Sequence, residues 1–204
     1  MKLQSLLAAA SAVLSLLATS VFAQEAAWQK SYQLEAAGKY NEAMAAIDQV
    51  QANGPDAEMK LLRRGWLYYL PGNFNESIRE YRLAIERNGK SVDARLGVLL
   101  PLLGQQRWRE AEQNARAALE LAPNNYTALL RLTISLEGQH DWDRMAKTAA
   151  TLVTGYPSDA TAYVYLARAN AWLNKRDEAI AAYAAVLTRY PGHAEAKAYL
   201  DKNR

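Results

Sequence analysis

Two histidines are the residues of this sequence best suited to metal or acid–base chemistry, since the chain contains no cysteine. One of them, His140, begins the run HDWD at 140–143 and stands next to Asp141 and Asp143. An imidazole beside two carboxylates could hold a metal ion weakly. Aspartates at this spacing are also favoured at the start of a helix. We favour the helix-capping interpretation and expect neither a metal nor a cofactor.

The sequence has none of the motifs that enzymes use for covalent or phosphoryl chemistry. It lacks a G-x-S-x-G nucleophile elbow and a glycine-rich phosphate loop. Pairs of Asp and Glu could act as acids and bases, but no pocket is implied around any of them. We therefore expect a protein without enzymatic activity, and a hydrolase or metal-binding protein is the least favoured alternative.

The first 23 residues are typical of a cleaved export signal. Lys2 supplies a positive start, residues 6–22 carry no charge, and Val21 and Ala23 fit the small-residue rule for cleavage before Gln24. The alternative is a retained membrane anchor, but the stretch is barely the ~20 residues that a spanning helix needs. We predict a signal peptide at 1–23 and a mature protein in the periplasm, or secreted beyond it.

Charge and composition narrow the class of partner. Removing Lys2 leaves 23 of the 24 Lys and Arg residues against 21 Asp and Glu, a net charge of about +2. This balance does not favour nucleic acid or a polybasic membrane contact. The mature chain is rich in Ala, Leu, Arg and Glu, and this composition favours helix almost throughout.

A period of 34 residues runs without a gap from Gln24 to His193. One position of the period is proline or glycine: Pro55, Gly89, Pro123, Pro157 and Pro191. Fifteen residues earlier, four of the five units have an aromatic residue, and Arg176 is the exception: Tyr40, Phe74, Trp108 and Trp142. Three residues after that position the side chain is mostly small: Ala43, Ser77, Ala111, Met145 and Ala179.

Each unit has the apolar spacing of two amphipathic helices. In 160–193 one stripe contains Tyr163 and Leu166, and a second contains Tyr183 and Val186. The closing proline should end the second helix, and the small residue should let the two helices approach closely. A single pair of helices cannot bury both apolar faces, so copies must stack on one another.

The spacing W-x2-L-G-x2-Y, A-x3-F and a final proline over 34 residues resembles the tetratricopeptide repeat. The best matches are the runs 61–89, 107–125 and 175–192. The resemblance implies an all-α, right-handed α-solenoid of five helix-turn-helix repeats. We place the repeats at 24–57, 58–91, 92–125, 126–159 and 160–193, followed by a polar capping helix at 194–204.

Two departures from the family pattern carry expectations of their own. Lys30 and Ser31 replace Leu and Gly in the first repeat, as expected for a terminal repeat with one face in water. Pro101 falls inside the first helix of the third repeat, which should bend there because one ladder hydrogen bond is lost. Pro71 should only end the corresponding helix of the second repeat.

The resemblance also implies a concave wall formed by the first helix of every repeat. Residues at the wall positions are apolar with interspersed arginines, the composition of a surface that binds another protein. The candidate groove residues are Trp28, Tyr32, Leu62, Arg63, Trp66, Tyr69, Leu100, Arg131, Ile134, Tyr165 and Arg168. Aromatic residues should contribute most of the binding energy, and the aliphatic ones could instead be core.

The wall lacks the Lys and Asn set with which some family members bind a terminal carboxylate. Arg63, Arg131 and Arg168 could each meet a carboxylate of a partner, or could lie solvated over the apolar wall. We predict a scaffold that binds a peptide or helix of an envelope protein, with apolar side chains and some acidic ones. The alternative is a structural protein that forms homo-oligomers.

Overall fold

The computed structural model describes residues 24–203, so the predicted signal peptide at 1–23 lies outside the described residues. This range contains eleven helices and no strand, which confirms the all-α prediction. The helices are α1 (24–36), α2 (Tyr40–Asp48), α3 (Pro55–Tyr69), α4 (Phe74–Arg87), α5 (Val92–Gly104), α6 (Trp108–Leu121), α7 (Tyr126–Gly138), α8 (Trp142–Gly155), α9 (Ala160–Trp172), α10 (Arg176–Arg189) and α11 (Ala194–Lys202).

The helices fall into two compact units. The first ends at Gly89 and contains α1 to α4, and the second begins at Lys90 and contains α5 to α11. Within each unit, helices that follow one another in the chain pack together as pairs. Five helix pairs and a terminal helix are therefore present, as the 34-residue period predicts. The placement of all five repeats in one domain, with the boundaries given above, stays a prediction.

The turn inside each helix pair repeats one backbone conformation. Residues with a left-handed φ recur every 34 positions: Gly38, Gly72, Gln106, His140 and Asn174. At each turn, this residue and the next donate their amides to carbonyls of the preceding helix, for example Gln106 to Leu103 and Arg107 to Leu102. This is the Schellman arrangement, which satisfies the free carbonyls at a helix end. His140 is thus a turn residue.

The connections between pairs also contain a periodic helix cap. Ser91, Asn125, Asp159 and His193 stand 34 residues apart, and each side chain accepts the backbone N–H three residues later. Such caps satisfy one of the amides that a helix start leaves unpaired. The imidazole of His193 accepts from the Ala196 amide at 3.3 Å. Asp141 likewise accepts from the Arg144 amide, as predicted for the HDWD run.

Close contact between paired helices depends on the small periodic residue. The side chains at this position are fully buried in all five pairs: Ala43, Ser77, Ala111, Met145 and Ala179. In the second pair, Ser77 also donates its hydroxyl to the carbonyl of Gly65 at 2.7 Å. The ring of Tyr81 covers Gly65 so closely that a Cβ there would lie 2.8 Å from it. The predicted close approach is therefore present.

The prolines behave in two ways. Pro123, Pro157 and Pro191 follow the ends of α6, α8 and α10, as predicted. Pro55 was expected to end α2, but α2 ends at Asp48 and Pro55 instead begins α3. Proline is well suited to a first helical position, where its missing N–H has no intrahelical acceptor.

Two of the expected departures from the family pattern, at Pro101 and Ser31, lie in α5 and α1. Pro101 is buried inside α5, which continues through it to Gly104, and the expected bend there stays a prediction. Ser31 was expected on a water-facing side of α1, but it is fully buried, and its hydroxyl accepts two hydrogen bonds from Arg63. None of the helices in residues 24–203 combines the length and apolar character that a membrane crossing requires.

We expect Gly138→Ala to destabilise the protein by about 1–3 kcal/mol through overpacking. The new Cβ would lie 2.4 Å from the indole of Trp108, which covers this glycine at the end of α7. Gly155→Ala at the end of α8 is the matched control, because its Cβ would meet nothing within 4 Å. Urea unfolding of both variants checks the prediction, and equal midpoints would contradict it.

Candidate functional site

Three aromatic rings of the first unit lie along α1 and α3. Tyr32 is 55% exposed, and Trp66 and Tyr69 are half-buried with ring centroids 5.6 Å apart. Tyr69 also contacts Phe74 at the start of α4. We call Tyr32, Trp66 and Tyr69 the aromatic patch. Aromatic rings bury a large area when a partner binds, and few rotatable bonds are immobilised.

An ion pair links the two sides of the aromatic patch. Arg63 on α3 bonds to the Glu35 carboxylate on α1, and the Trp66 indole N–H donates to the other Glu35 oxygen at 2.7 Å. The Arg63 guanidinium also lies 3.9 Å from the centre of the Tyr32 ring. Charge-assisted bonds of this kind are stronger than neutral ones. They hold the rings of both helices in fixed positions.

The other candidates in the first unit are partly used for packing. Trp28 packs against the core cluster that contains Ile47 and Leu67. Leu62 is half-buried. The structure therefore brings Tyr32, Arg63, Trp66 and Tyr69 together directly, whereas Trp28 contacts the interior.

The remaining candidates belong to the second unit. Leu100, Ile134 and Tyr165 are half-buried, and burial raises the pKa of the Tyr165 hydroxyl. Arg131 on α7 donates to the Leu96 carbonyl on α5. The eleven candidates are divided between the two units. One groove that contains all of them stays a prediction.

Arg168 is the centre of a bonded network in the second unit. It donates to both oxygens of Glu195 on α11, at 2.8 and 2.6 Å, and to Glu137 on α7 at 3.3 Å. The Tyr183 hydroxyl on α10 donates to Glu195 at 2.7 Å. Hydrogen bonding from Arg168 lowers the pKa of Glu195, and burial raises the pKa of Tyr183. The network fastens the terminal helix to α9 and α10.

The carboxylates of these networks were not among the candidates. Glu35 and Glu137 stand at the same position of two repeats, 102 residues apart, and each bonds to an arginine of the following repeat. Opposite charges at a recurring spacing were visible in the sequence. Glu195 lies in the helix that was predicted to be a polar cap, and only the packing of α11 places it beside Arg168.

The HDWD run forms a stack of rings. His140 lies parallel to Trp142 with centroids 5.3 Å apart, and Trp142 lies parallel to Trp172 at 5.0 Å. Trp172 occupies the position that is Gly138 in the preceding repeat. Within the described residues, no three His, Asp or Glu side chains are grouped so that they could hold a metal ion.

The comparisons with known proteins agree with the helix-pair architecture. Residues 161–193 match the family model of the tetratricopeptide repeat. The chain is similar in structure to YrrB, which is described as a tetratricopeptide-repeat protein with "an unusual peptide-binding site". The TM-score is 0.71 at 17% identity, over 84% of this chain and 89% of that one. No curated protein matches the sequence.

Two further solved structures share the fold. MamA from Desulfovibrio magneticus RS-1, residues 41 to the end, gives a TM-score of 0.75 at 13% identity, over 84% of this chain and 97% of that one. The tetratricopeptide protein TTC0263 of Thermus thermophilus gives 0.62 at 14% identity, over 88% and 98%. At these identities the similarity shows the fold alone. The resemblance to the tetratricopeptide repeat family is confirmed.

We expect Glu195→Gln to destabilise the protein at pH 7 and to have no effect at low pH. The pKa of Glu195 is depressed in the folded state, so its stabilisation is complete above the ordinary glutamate pKa of about 4.3 and is lost as pH falls through the lower value. Unfolding midpoints of wild type and variant, measured from pH 7 to pH 2.5, check this. A difference that does not change with pH would contradict the prediction.

Proposed function

We propose that this tetratricopeptide-repeat protein is a non-catalytic scaffold of the bacterial envelope that binds a segment of another protein. The binding surface is the aromatic patch of Tyr32, Trp66 and Tyr69. The bound segment is a peptide or a single helix, and its capture helps to assemble or position a complex. Tyr and Trp are enriched among the few residues that contribute most of the binding energy of a protein interface.

The observation that carries this proposal is the exposure of Tyr32 in a rigid setting. Its ring is more than half exposed, yet it rests on the Arg63 guanidinium, which is itself fixed by Glu35 and Ser31. A ring that is already ordered loses little conformational entropy when a partner binds. Trp66 bonds to the same Glu35 carboxylate as Arg63 does, and its ring lies 5.6 Å from that of Tyr69.

The structural similarity to YrrB supports peptide binding by this protein, because YrrB is described as having a peptide-binding site. The proposal assigns no catalysis, since the sequence has no nucleophile motif or phosphate loop. A contact that buries less than about 1,200 Å² is expected to have roughly micromolar affinity.

We expect Tyr32→Ser combined with Tyr69→Ser to reduce partner capture at least about tenfold. Trp66 is left in place because its indole N–H bonds to Glu35 and its loss would disturb the ion pair. The protein comprising residues 24–204 is immobilised and incubated with periplasmic extract, and the proteins that it retains are identified by mass spectrometry. Each protein recovered by wild type is then titrated as a purified partner.

Tyr190→Ser is the matched control, because Tyr190 is 57% exposed and belongs to the second unit. It should capture the same partners as wild type. Circular dichroism and thermal melting confirm that both variants are folded. Equal capture by the Tyr32/Tyr69 variant and wild type would exclude the aromatic patch as the binding surface.

The location in the envelope is proposed from the sequence of residues 1–23. We expect the full chain to be exported and to begin at Gln24 after processing, which mass spectrometry of the periplasmic fraction would show. Ala23→Glu should block cleavage, because signal peptidases require a small residue there. Deletion of residues 2–23 should leave the protein in the cytoplasm. Export of that deleted form would refute the assignment.

A further inference from the structure

We infer that the aromatic patch selects segments that carry no carboxylate, and that Glu35 is the residue that determines this specificity. The inference rests on the proposed function and specifies the chemistry of the segment that is bound. It replaces the sequence-based expectation that the wall arginines meet acidic residues of a partner.

Arg63 has no accessible face for an external carboxylate. Its Nε and Nη2 groups donate to the Ser31 hydroxyl at 3.2 and 3.0 Å, and Nη1 donates to Glu35. The Tyr32 ring covers the guanidinium plane at 3.9 Å. Only 5% of the Arg63 side chain is exposed. An acidic partner would have to displace both Tyr32 and Glu35 to reach it.

Glu35 is the more exposed member of its ion pair with Arg63. The Glu35 side chain is 23% exposed, against 5% for Arg63. A segment lying on the aromatic patch therefore meets the carboxylate of Glu35 before it meets the guanidinium. Like charges brought together in a partly desolvated contact repel each other, and this repulsion is a source of specificity. Apolar and basic side chains experience no such repulsion.

The other two predicted arginines also donate to acceptors of the second unit, although the Arg168 side chain is 36% exposed. Arg168 donates to Glu195 and Glu137, and Arg131 donates to the Leu96 carbonyl. Each of the three arginines thus donates to an acceptor of its own unit. The carboxylate that a partner would have supplied is present within the chain as Glu35 or Glu195.

Glu35→Gln separates charge from shape. Glutamine has the same size, and its amide oxygen can still accept the Trp66 indole N–H, but Arg63 then carries an uncompensated positive charge. We expect this variant to bind acidic segments about tenfold more tightly than wild type does. Glu25→Gln is the matched control, since Glu25 is an exposed residue of the same helix whose carboxylate bonds to Gln29.

The probe is a displayed library of random 12-residue peptides, selected on residues 24–204 of the wild type, Glu35→Gln, Glu25→Gln and Tyr32→Ser/Tyr69→Ser. Wild type and Glu25→Gln should enrich aromatic and aliphatic residues and deplete Asp and Glu relative to the input. Glu35→Gln should enrich Asp and Glu. An enriched peptide and a copy with one added Asp are then titrated on each protein at 50 and 300 mM NaCl.

The outcomes separate the inference from the proposed function. Enrichment of acidic peptides on wild type that is lost in the Tyr32/Tyr69 variant would overturn the inference and leave the proposed function standing. An unchanged preference in folded Glu35→Gln would also overturn it. If no peptide depends on Tyr32 and Tyr69, the proposed function fails and the inference with it. If Glu35→Gln does not fold, the wild-type selection still tests whether the patch excludes acidic segments, and enrichment of Asp and Glu there would overturn the inference.

Discussion

The close contact between the two helices of each pair is the constraint on which the rest of this structure depends. At one position of every repeat the side chain is fully buried, from Ala43 to Ala179, and in four of the five repeats it is small. Helices that approach this closely leave their remaining apolar faces to neighbouring pairs. The first helix of a pair can then carry polar residues outside this contact, such as Glu35 on α1 and Arg63 on α3 in the first unit, and Glu137 on α7 and Arg168 on α9 in the second.

Electrostatic pairing between consecutive first helices is the second feature that recurs. Arg63 bonds to Glu35, and Arg168 bonds to Glu137, so in each unit an arginine meets a carboxylate of the preceding repeat. Exposed pairs contribute little to stability, but a buried arginine that lost its partner would be costly. The pairs therefore fix the relative position of the helices within each unit.

Much of the fold could be predicted, because the period of 34 records packing requirements that are local in sequence. The spacing of residues predicts the helix pairs, the terminal helix and the small residues where paired helices meet. It also locates the aromatic residue that recurs fifteen positions before the proline. The periodic caps at Ser91, Asn125, Asp159 and His193 were readable in the same way but were not recognised. Ser31 and Pro55 were misjudged, because a serine bonded to a distant arginine and a proline at a helix start look like ordinary departures from the motif.

The sequence by itself determined the helix pairs, their order and the set of residues that line the first helices, since these depend on interactions within a few turns. Only the tertiary structure decided which of those residues form hydrogen bonds or ion pairs with other residues of the chain. Arg63 and Glu35 are 28 residues apart, and Arg168 and Glu195 are 27 apart, so their contacts exist only once a helix packs against one of the neighbouring repeat or against the terminal helix. The sequence shows which positions carry a charge. The residue that neutralises each charge depends on how side chains of different helices meet when those helices pack.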